Sequence, residues 1–384
     1  MTTDEKIQLI TRNLEETLTE DELRALIDSG TPLKHYIGFE ISGKVHIGQG
    51  LLTMQIIKNF QDAGLETTML LADWHTWLNK KLDGTLETAQ RLARAYFQEA
   101  LIAATLCAGA DHNKIEFILG SELYEKQNTA YWAKVVKVSK ATTLNRMLRS
   151  TTIMGRKETE VSDAAMLIYP AMQAADIFAM NINIAHAGSD QRNVHIVARE
   201  AANELGEPKP VALHHHLLLG IAKPNDQSLA LRQQIIEKGS AEALSLLKDE
   251  MMGLTEGMKM SKSKPESAVF ITDSPEEIRK KVSQAFAPEG EIILNPILDW
   301  VKYLVFYNNT TFVIKRDEKW GGDLSYANYA DLEKDYAEKK LHPQDLKAAV
   351  AEWLIEKLEP ARKYFEDPQR KAALEEIEAL TVKH

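Results

Sequence analysis

The sequence predicts an α/β fold, a parallel sheet wrapped by helices, followed by a separate helical C-terminal domain. Three observations carry that expectation. Short β-like runs alternate with helical ones between residues 36 and 218, and helical patterns dominate from Asp273 onward. At 384 residues the chain also exceeds the usual size of one domain, so two are expected. Its 44% hydrophobic and 27% charged residues suit a globular protein with a proper core.

The elements follow in order. Thr19-Glu20-Asp21-Glu22 is a capping-box pattern and Gly30 closes the short helix it starts, giving a helical N-terminal extension over residues 1–33. Tyr36–Ile41 reads as a strand before a helix over Leu51–Phe60, and Thr67–Asp73 as a strand before Leu86–Cys107. Ile115–Gly120 precedes a basic helical region at about 121–165. Ile182–His186 leads into a helix over Asp190–Leu205, and Val211–Leu218 follows. In such a sheet ligands bind beyond the carboxyl ends of the strands, where His46, His75, Glu122 and Gly188 fall. Residues 223–256 interrupt the plan and read as an inserted helical hairpin. Asp273-Ser274-Pro275-Glu276-Glu277 starts a helix: a capping residue, proline in the first turn, acids at the positive end. A boundary near residue 268 divides the α/β domain, 34–268, from the helical one, 269–384. Trp320-Gly321-Gly322-Asp323 forms a turn in the latter, and His342-Pro343-Gln344-Asp345 opens a long helix.

Composition narrows the function. No run of about 18 apolar residues exists, so no membrane span is expected. The polar, acidic N-terminus does not resemble a secretion signal. The single cysteine, Cys107, excludes an intrachain disulfide and suits a reducing cytoplasm, where the protein is expected. A net charge of −10 argues against indiscriminate nucleic-acid binding. One stretch departs from it. Lys134, Lys137, Lys140, Arg146, Arg149, Arg156 and Lys157 lie in a run with no Asp or Glu between them, a pattern suited to a phosphate backbone.

Two short motifs carry the chemistry. His46-Ile47-Gly48-Gln49 follows a β-like run and precedes a helix, so unpaired N–H groups and the helix dipole there favour an anion. Gly48 would let a nucleotide approach without a Cβ in the way. About two hundred residues later, Lys259-Met260-Ser261-Lys262-Ser263 would bring mobile positive charge to a triphosphate. Alone, a Lys/Ser loop is usually a solvated turn and an isolated His-x-Gly usually nothing. Together, in this order and spacing, they resemble the ATP site of class I aminoacyl-tRNA synthetases, whose signatures are HIGH early and KMSKS late. Gln49 replaces the second histidine; glutamine can donate a hydrogen bond but cannot carry a proton.

A third pattern concerns the substrate. Tyr169, Gln173 and Asp176 are spaced i, i+4, i+7 and share one face of an otherwise apolar helix, which costs stability unless they are hydrogen-bonded. Here the resemblance narrows to archaeal and eukaryotic-type tyrosyl-tRNA synthetases. It rests on Tyr36-Ile37-Gly38-Phe39-Glu40, Leu70–His75, Gly120-Ser121-Glu122, Tyr169–Asp176, Asp190-Gln191-Arg192, Gly321-Gly322-Asp323 and His342–Asp345, from about residue 20 to 366.

That resemblance implies a Rossmann-type catalytic domain, a helical anticodon-binding domain and a homodimer acting on L-tyrosine, ATP and tRNA(Tyr). It implies Tyr36 and Asp176 at the tyrosine phenol, with Asp176 ionised and accepting its hydrogen bond. Tyr169, Gln173 and Gln191 are implied at the α-amino group, and His75 near the side-chain pocket. His46, Gly48, Lys259 and Lys262 are implied as catalytic, and His46–Gln49 with Lys259–Ser263 as the ATP site. Arg146, Arg149, Trp320 and Asp345 are implied as tRNA contacts. Mg²⁺ would accompany ATP, with no tightly bound cofactor or structural metal. A site built for a hydroxyl rejects the analogue lacking it. Tyrosine against phenylalanine is the standard worked case for this enzyme class, about 10⁵-fold without editing, a value belonging to that case and not to this chain.

His214-His215-His216 invites a metal reading, but only His214 and His216 share a strand face, and no acid or cysteine stands at a recognisable spacing. Core or ATP-site packing is the expectation. Two rival functions fit the motifs less well. A tryptophanyl-tRNA synthetase has no use for the Tyr36/Asp176 pair. A non-catalytic, synthetase-derived RNA-binding protein has no use for His46, Gly48, Lys259 and Lys262.

Overall fold

Leu14–Leu18 (β1), Lys34–Phe39 (β2), Glu66–Leu71 (β3), Ile115–Leu119 (β4), Ile184–Gly188 (β5) and Val211–His215 (β6) form one sheet in the computed structural model. Its order is β1-β6-β5-β2-β3-β4. All neighbours run parallel except β1, which lies antiparallel to β6. The five parallel strands have the Rossmann arrangement: the chain starts in the centre at β2, builds outward through β3 and β4, then returns to β5 on the other side. β3 is buried at every position after Glu66, as a strand covered on both faces must be. The structure describes residues 1–154, 163–226, 228–230, 233–234, 258, 260, 267–308 and 311–381.

The helices between these strands are Thr53–Asp62 (α1), Asp73–Leu78 (α2), Leu86–Leu92 (α3), Glu99–Ala108 (α4), Gly120–Gln127 (α5), Thr129–Ala141 (α6), Leu144–Ser150 (α7), Tyr169–Ala179 (α8) and Arg192–Leu205 (α9). The last two pack against each other and against α6. Burying α8 side chains such as Ile177 and Phe178 contributes roughly 1.5–3 kcal/mol each. Cys107 is a buried core residue of α4.

Three expectations need correction. The N-terminal extension is not wholly helical, because β1 stands between two capped helices, Thr3–Ile10 and Glu20–Asp28. Its acid-rich sequence hides a strand whose partner, β6, lies almost two hundred residues away. The C-terminal part is not all helical either. Phe312–Ile314 pairs antiparallel with Leu324–Tyr326, and the turn predicted at Trp320–Asp323 lies between these two strands. Finally, the chain does not divide once near residue 268. One compact unit comprises Met1–Lys44, Met54–His216 and Asp367–His384; the other comprises Val45–Thr53 and Leu217–Glu366. Backbone pairing explains the second unit's composition: Ile47 N–H donates to the Val269 carbonyl at 2.9 Å and Ile271 N–H to that of Val45 at 3.1 Å. In the first unit the last helix, Pro368–Thr381, returns to ion pairs of Arg370 with Glu99, Glu376 with Arg91 and Glu378 with Lys44. The helical hairpin predicted over 223–256 lies almost entirely outside the described residues.

Candidate active site

Strands β2 and β5 are neighbours whose connections run to opposite sides, the switch point at which sheets of this kind bind ligands. Residues of the first unit gather there. Tyr36 is buried on β2, its ring lying along the strand over Gly38; a Cβ at Gly38 would come within 2.7 Å of the phenol oxygen. Asp176 on α8 is fully buried. Its Oδ1 accepts the Tyr131 hydroxyl at 2.8 Å, and its Oδ2 accepts that of Tyr124 at 3.4 Å. Those two tyrosine rings stack with centroids 4.1 Å apart. His75 Nε2 lies 3.7 Å from Asp176 Oδ2, too far for a hydrogen bond, and the ring packs edge-on to Tyr169 at 4.5 Å.

Burial dominates the electrostatics. It pushes the Asp176 carboxyl up to about 8, against the lowering effect of the Tyr131 and Tyr124 hydrogen bonds. It drives the His75 imidazole down to about 3, so the ring is neutral near pH 7. Burial, then the Asp176 charge, holds the Tyr36 phenol well above its ordinary range. Burial thus works against the ionised Asp176 that the resemblance implies, because desolvation penalises its charge more than two tyrosine donors compensate. The partners found on Asp176 are Tyr131 and Tyr124, which sequence reasoning did not name.

The polar stripe of α8 continues at its amino end. Gln173 Nε2 donates to Gln191 Oε1 at 3.1 Å, and Gln191 Nε2 donates to the Ile153 carbonyl at 3.0 Å. The Tyr169 hydroxyl donates to Glu40 at 3.2 Å, and Asn79 donates to both oxygens of the same carboxylate. Glu40 is a further missed residue, with a signal available: Tyr36, Gly38 and Glu40 repeat every second position along one strand face. The structure thus assembles Tyr36, His75, Tyr169, Gln173, Asp176 and Gln191, although they come from four separate stretches of chain. Glu122, also flagged at a strand end, instead pairs with Arg94 at 2.6 Å.

The second unit holds the other motif. Its first turn, Gly48–Leu52, is a wide π-helical turn, a form often found at functional sites. Gln49 N–H donates to Nδ1 of the half-buried His46 at 3.3 Å. A Cβ on Gly48 would meet that ring at 3.2 Å, so the close approach this glycine permits here is to His46. Met260 is buried and its N–H donates to the Leu218 carbonyl at 3.2 Å. Lys259, Ser261, Lys262 and Ser263 lie outside the described residues.

The basic run is less uncompensated than it reads. Lys134 pairs with Glu207 at 2.7 Å and Arg146 with Glu200, acids from α9 and just beyond it; Arg149 is exposed. Arg156 and Lys157 lie outside the described residues. In the second unit Trp320 is 68% exposed beside Lys319, and Asp345 sits half-buried in the first turn of Pro343–Lys357. The histidine run does meet acids, brought by β1: Glu16 contacts His214 at 2.9 Å and Glu15 contacts His216 at 2.5 Å. His214 also bonds His195, and His215 bonds His186. Among the described residues no group of three or more potential ligands is placed to hold a metal ion.

A parallel sheet in Rossmann order, with a buried polar cluster on α8, is an architecture that binds ligands where the strand order reverses. The family model described as "tRNA synthetases class I (W and Y)" matches residues 28–359, and the chain belongs to that family. Within it, the chain is 50% identical over 377 residues to the tyrosine–tRNA ligase of Thermococcus kodakarensis, covering 95% of this chain and 96% of that one. The tyrosine–tRNA ligase of Pyrococcus furiosus gives the same identity and coverage. Among solved structures, tyrosyl-tRNA synthetase complexed with L-tyrosine from Pyrococcus horikoshii superposes with a TM-score of 0.90 at 46% identity, covering 99% of this chain and all of that one. A Plasmodium falciparum tryptophanyl-tRNA synthetase, 17% identical with a TM-score of 0.63, shares the fold.

Proposed function

We propose that this chain is a tyrosine–tRNA ligase whose amino-acid site is the pocket built on α8. The reaction joins tyrosine to ATP, giving tyrosyl-adenylate and pyrophosphate; the tRNA terminal ribose then takes the tyrosyl group. The observation that carries the reading is the hydroxyl-bearing cluster around Asp176, buried at one end of a stripe whose other end is the Gln173–Gln191 pair. A phenol and an α-amino group stand at opposite ends of tyrosine, and this stripe offers partners for both. Identity of about one half to tyrosine–tRNA ligases across nearly the whole chain supports it. The tryptophanyl alternative has the shared family model and a likeness of fold at 17% identity.

In this reading Tyr36 and Asp176 meet the phenol oxygen, His75 walls the ring, and Tyr169, Gln173 and Gln191 hold the α-amino group. Asp176 need not be charged to do so: a neutral carboxyl both donates and accepts, and a third hydroxyl donor arriving with the substrate favours ionisation. Little covalent chemistry falls to the protein. Its task is to position the carboxylate against the α-phosphorus and to stabilise charge on departing pyrophosphate. His46, Gly48, Gln49, Met260 and Ser261 with Ser263 are assigned to ATP, with Lys259 and Lys262 as the charge partners. Mg²⁺ arrives with ATP as part of the substrate.

The tRNA contacts are assigned to Arg146 and Arg149 for the backbone, and to Trp320 and Asp345 for the anticodon, where an aromatic face stacks on a base and a carboxylate accepts from guanine. A homodimer is supported by the groove lined by Trp132, Val135, Val136, Ser139, Lys140 and Ile168, in which Val136 and Ile168 are exposed. No described helix is long and apolar enough to cross a membrane, which accords with work in the cytoplasm. ATP–pyrophosphate exchange with each of the twenty amino acids tests the whole. Rapid exchange with tyrosine alone is expected; exchange driven by tryptophan, or by none, overturns it.

A further inference from the structure

The amino end of the pocket depends on a turn that the sheet does not hold by itself. Ser189–Gln191 is a single 3₁₀ turn between β5 and α9, and its Gln191 meets Gln173. The residues on either side of Gln191 are gripped by the N-terminal strand. Glu16 takes Arg192 Nε with both carboxylate oxygens, at 3.0 and 2.8 Å. Against the raising effect of burial, His216 and then the Ser189 side chain help to hold the Glu15 carboxyl below its usual range, which places Ser189 beside it. Two consecutive residues of a regular strand point to opposite faces, so they cannot ordinarily serve one turn. Here the register of β1 against β6 shifts between Leu14 and Glu16, leaving Glu15 at the irregularity. A bulge re-aims side chains in this manner and is common beside active sites. His214 of β6 and His216 just beyond it brace the same two carboxylates, through Glu16 at 2.9 Å and Glu15.

We propose that Glu15 and Glu16 are positioning residues for amino-acid binding: the bulged N-terminal strand clamps the Ser189–Arg192 turn so that Gln191 faces the α-amino group. The proposal rests on the reading of Gln191 as an amino-group partner. It assigns the N-terminal segment a part in recognition although neither glutamate touches substrate.

Equilibrium binding without ATP, by titration calorimetry, separates the possibilities with two probes. These are tyrosine and 3-(4-hydroxyphenyl)propanoate, which keeps the phenol and carboxylate and lacks the amine. For Glu16→Ala the tyrosine Kd should rise about tenfold, while that of the deaminated probe changes less than about twofold. Ser189→Ala, which cuts only the Glu15 tie, should move tyrosine binding the same way by less, and it guards against a misfolded Glu16 variant. Gln191→Ala is the reference and should show the same selectivity for the amine. If Gln191→Ala is selective but Glu16→Ala and Ser189→Ala weaken both probes equally, or neither, the clamp is overturned. If Gln191→Ala itself weakens both probes alike, the amino-group reading fails, and the clamp fails with it.

Discussion

Asp176 is fully buried, fixed by two tyrosines of its own chain, and ringed by His75, Tyr36 and Tyr169; Trp320 stands 68% exposed on a three-residue turn with Lys319 beside it. In the first, removing Tyr131, Tyr124 or Asp176 leaves a buried polar partner behind. The second has almost nothing to lose by mutation except what it touches in a complex. Under the proposed assignments, burial would couple specificity to stability and pH, whereas exposure would separate them.

The largest effect should come from Asp176→Ala. Loss of the phenol's partner should cut selectivity for tyrosine over phenylalanine by orders of magnitude in pyrophosphate exchange, because discrimination comes from buried groups left unpaired by the wrong substrate. Intact selectivity in that variant would remove Asp176 from the pocket's logic.

A pH effect comes next. The Asp176 carboxyl is raised from 3.8 to about 8, so between those values the folded protein holds a proton that the unfolded chain releases. Stability from this group is thus present at low pH and lost as pH rises through the window, with a limiting slope of about 1.4 kcal/mol per pH unit. Buried His35 and His75, lowered to about 3 by burial, act oppositely: the unfolded chain takes up protons below about 6.5, so their contribution is lost as pH falls. Urea unfolding of the wild type and Asp176→Asn at several pH values should therefore differ by a slope attributable to Asp176. Parallel curves between pH 5 and 7.5 would show that its carboxyl is not held protonated.

At the exposed end, Asp345→Ala should reduce aminoacylation of tRNA carrying the tyrosine anticodon and leave tyrosyl-adenylate formation untouched. Its cost to stability should stay within about 1 kcal/mol, the scale of a first-turn acid at a helix N-terminus. The loss should shrink against tRNA whose first anticodon base is already changed. An equal loss for every anticodon would make Asp345 merely structural.

The smallest predicted difference is between two arginines of the basic run. Glu200 already engages Arg146, whereas Arg149 is exposed. Arg149→Gln should lower the salt dependence of tRNA binding by about one unit of slope, and Arg146→Gln by less. Equal slopes would mean that Glu200 releases Arg146 on binding.

Much of this was legible before the structure. The strand–helix alternation predicted the five parallel strands, since apolar runs bounded by turn residues specify such a sheet locally. The stripe Tyr169, Gln173, Asp176 was visible from helical spacing alone. What escaped notice depends on contacts distant in sequence. Tyr124 and Tyr131 belong to two different helices, and nothing in their spacing marks them as partners of Asp176. β1 is too short and too acidic to announce itself, and it becomes a strand only because β6 offers an edge. The charge of the basic run was misjudged for the same reason: Glu200 and Glu207 lie outside it in sequence but beside it in space.

The return of Pro368–Thr381 to the first unit has a consequence for the order of manufacture. A ribosome adds about 5–20 residues per second and domains generally fold as they emerge. Here the first unit lacks one of its packed helices, and the ion pairs to Arg91, Glu99 and Lys44, until residues 368–381 have been made. The second unit, begun later, has all its segments sooner. Removing Asp367–His384 alone would therefore leave the first unit without a packed helix and the second with all its segments.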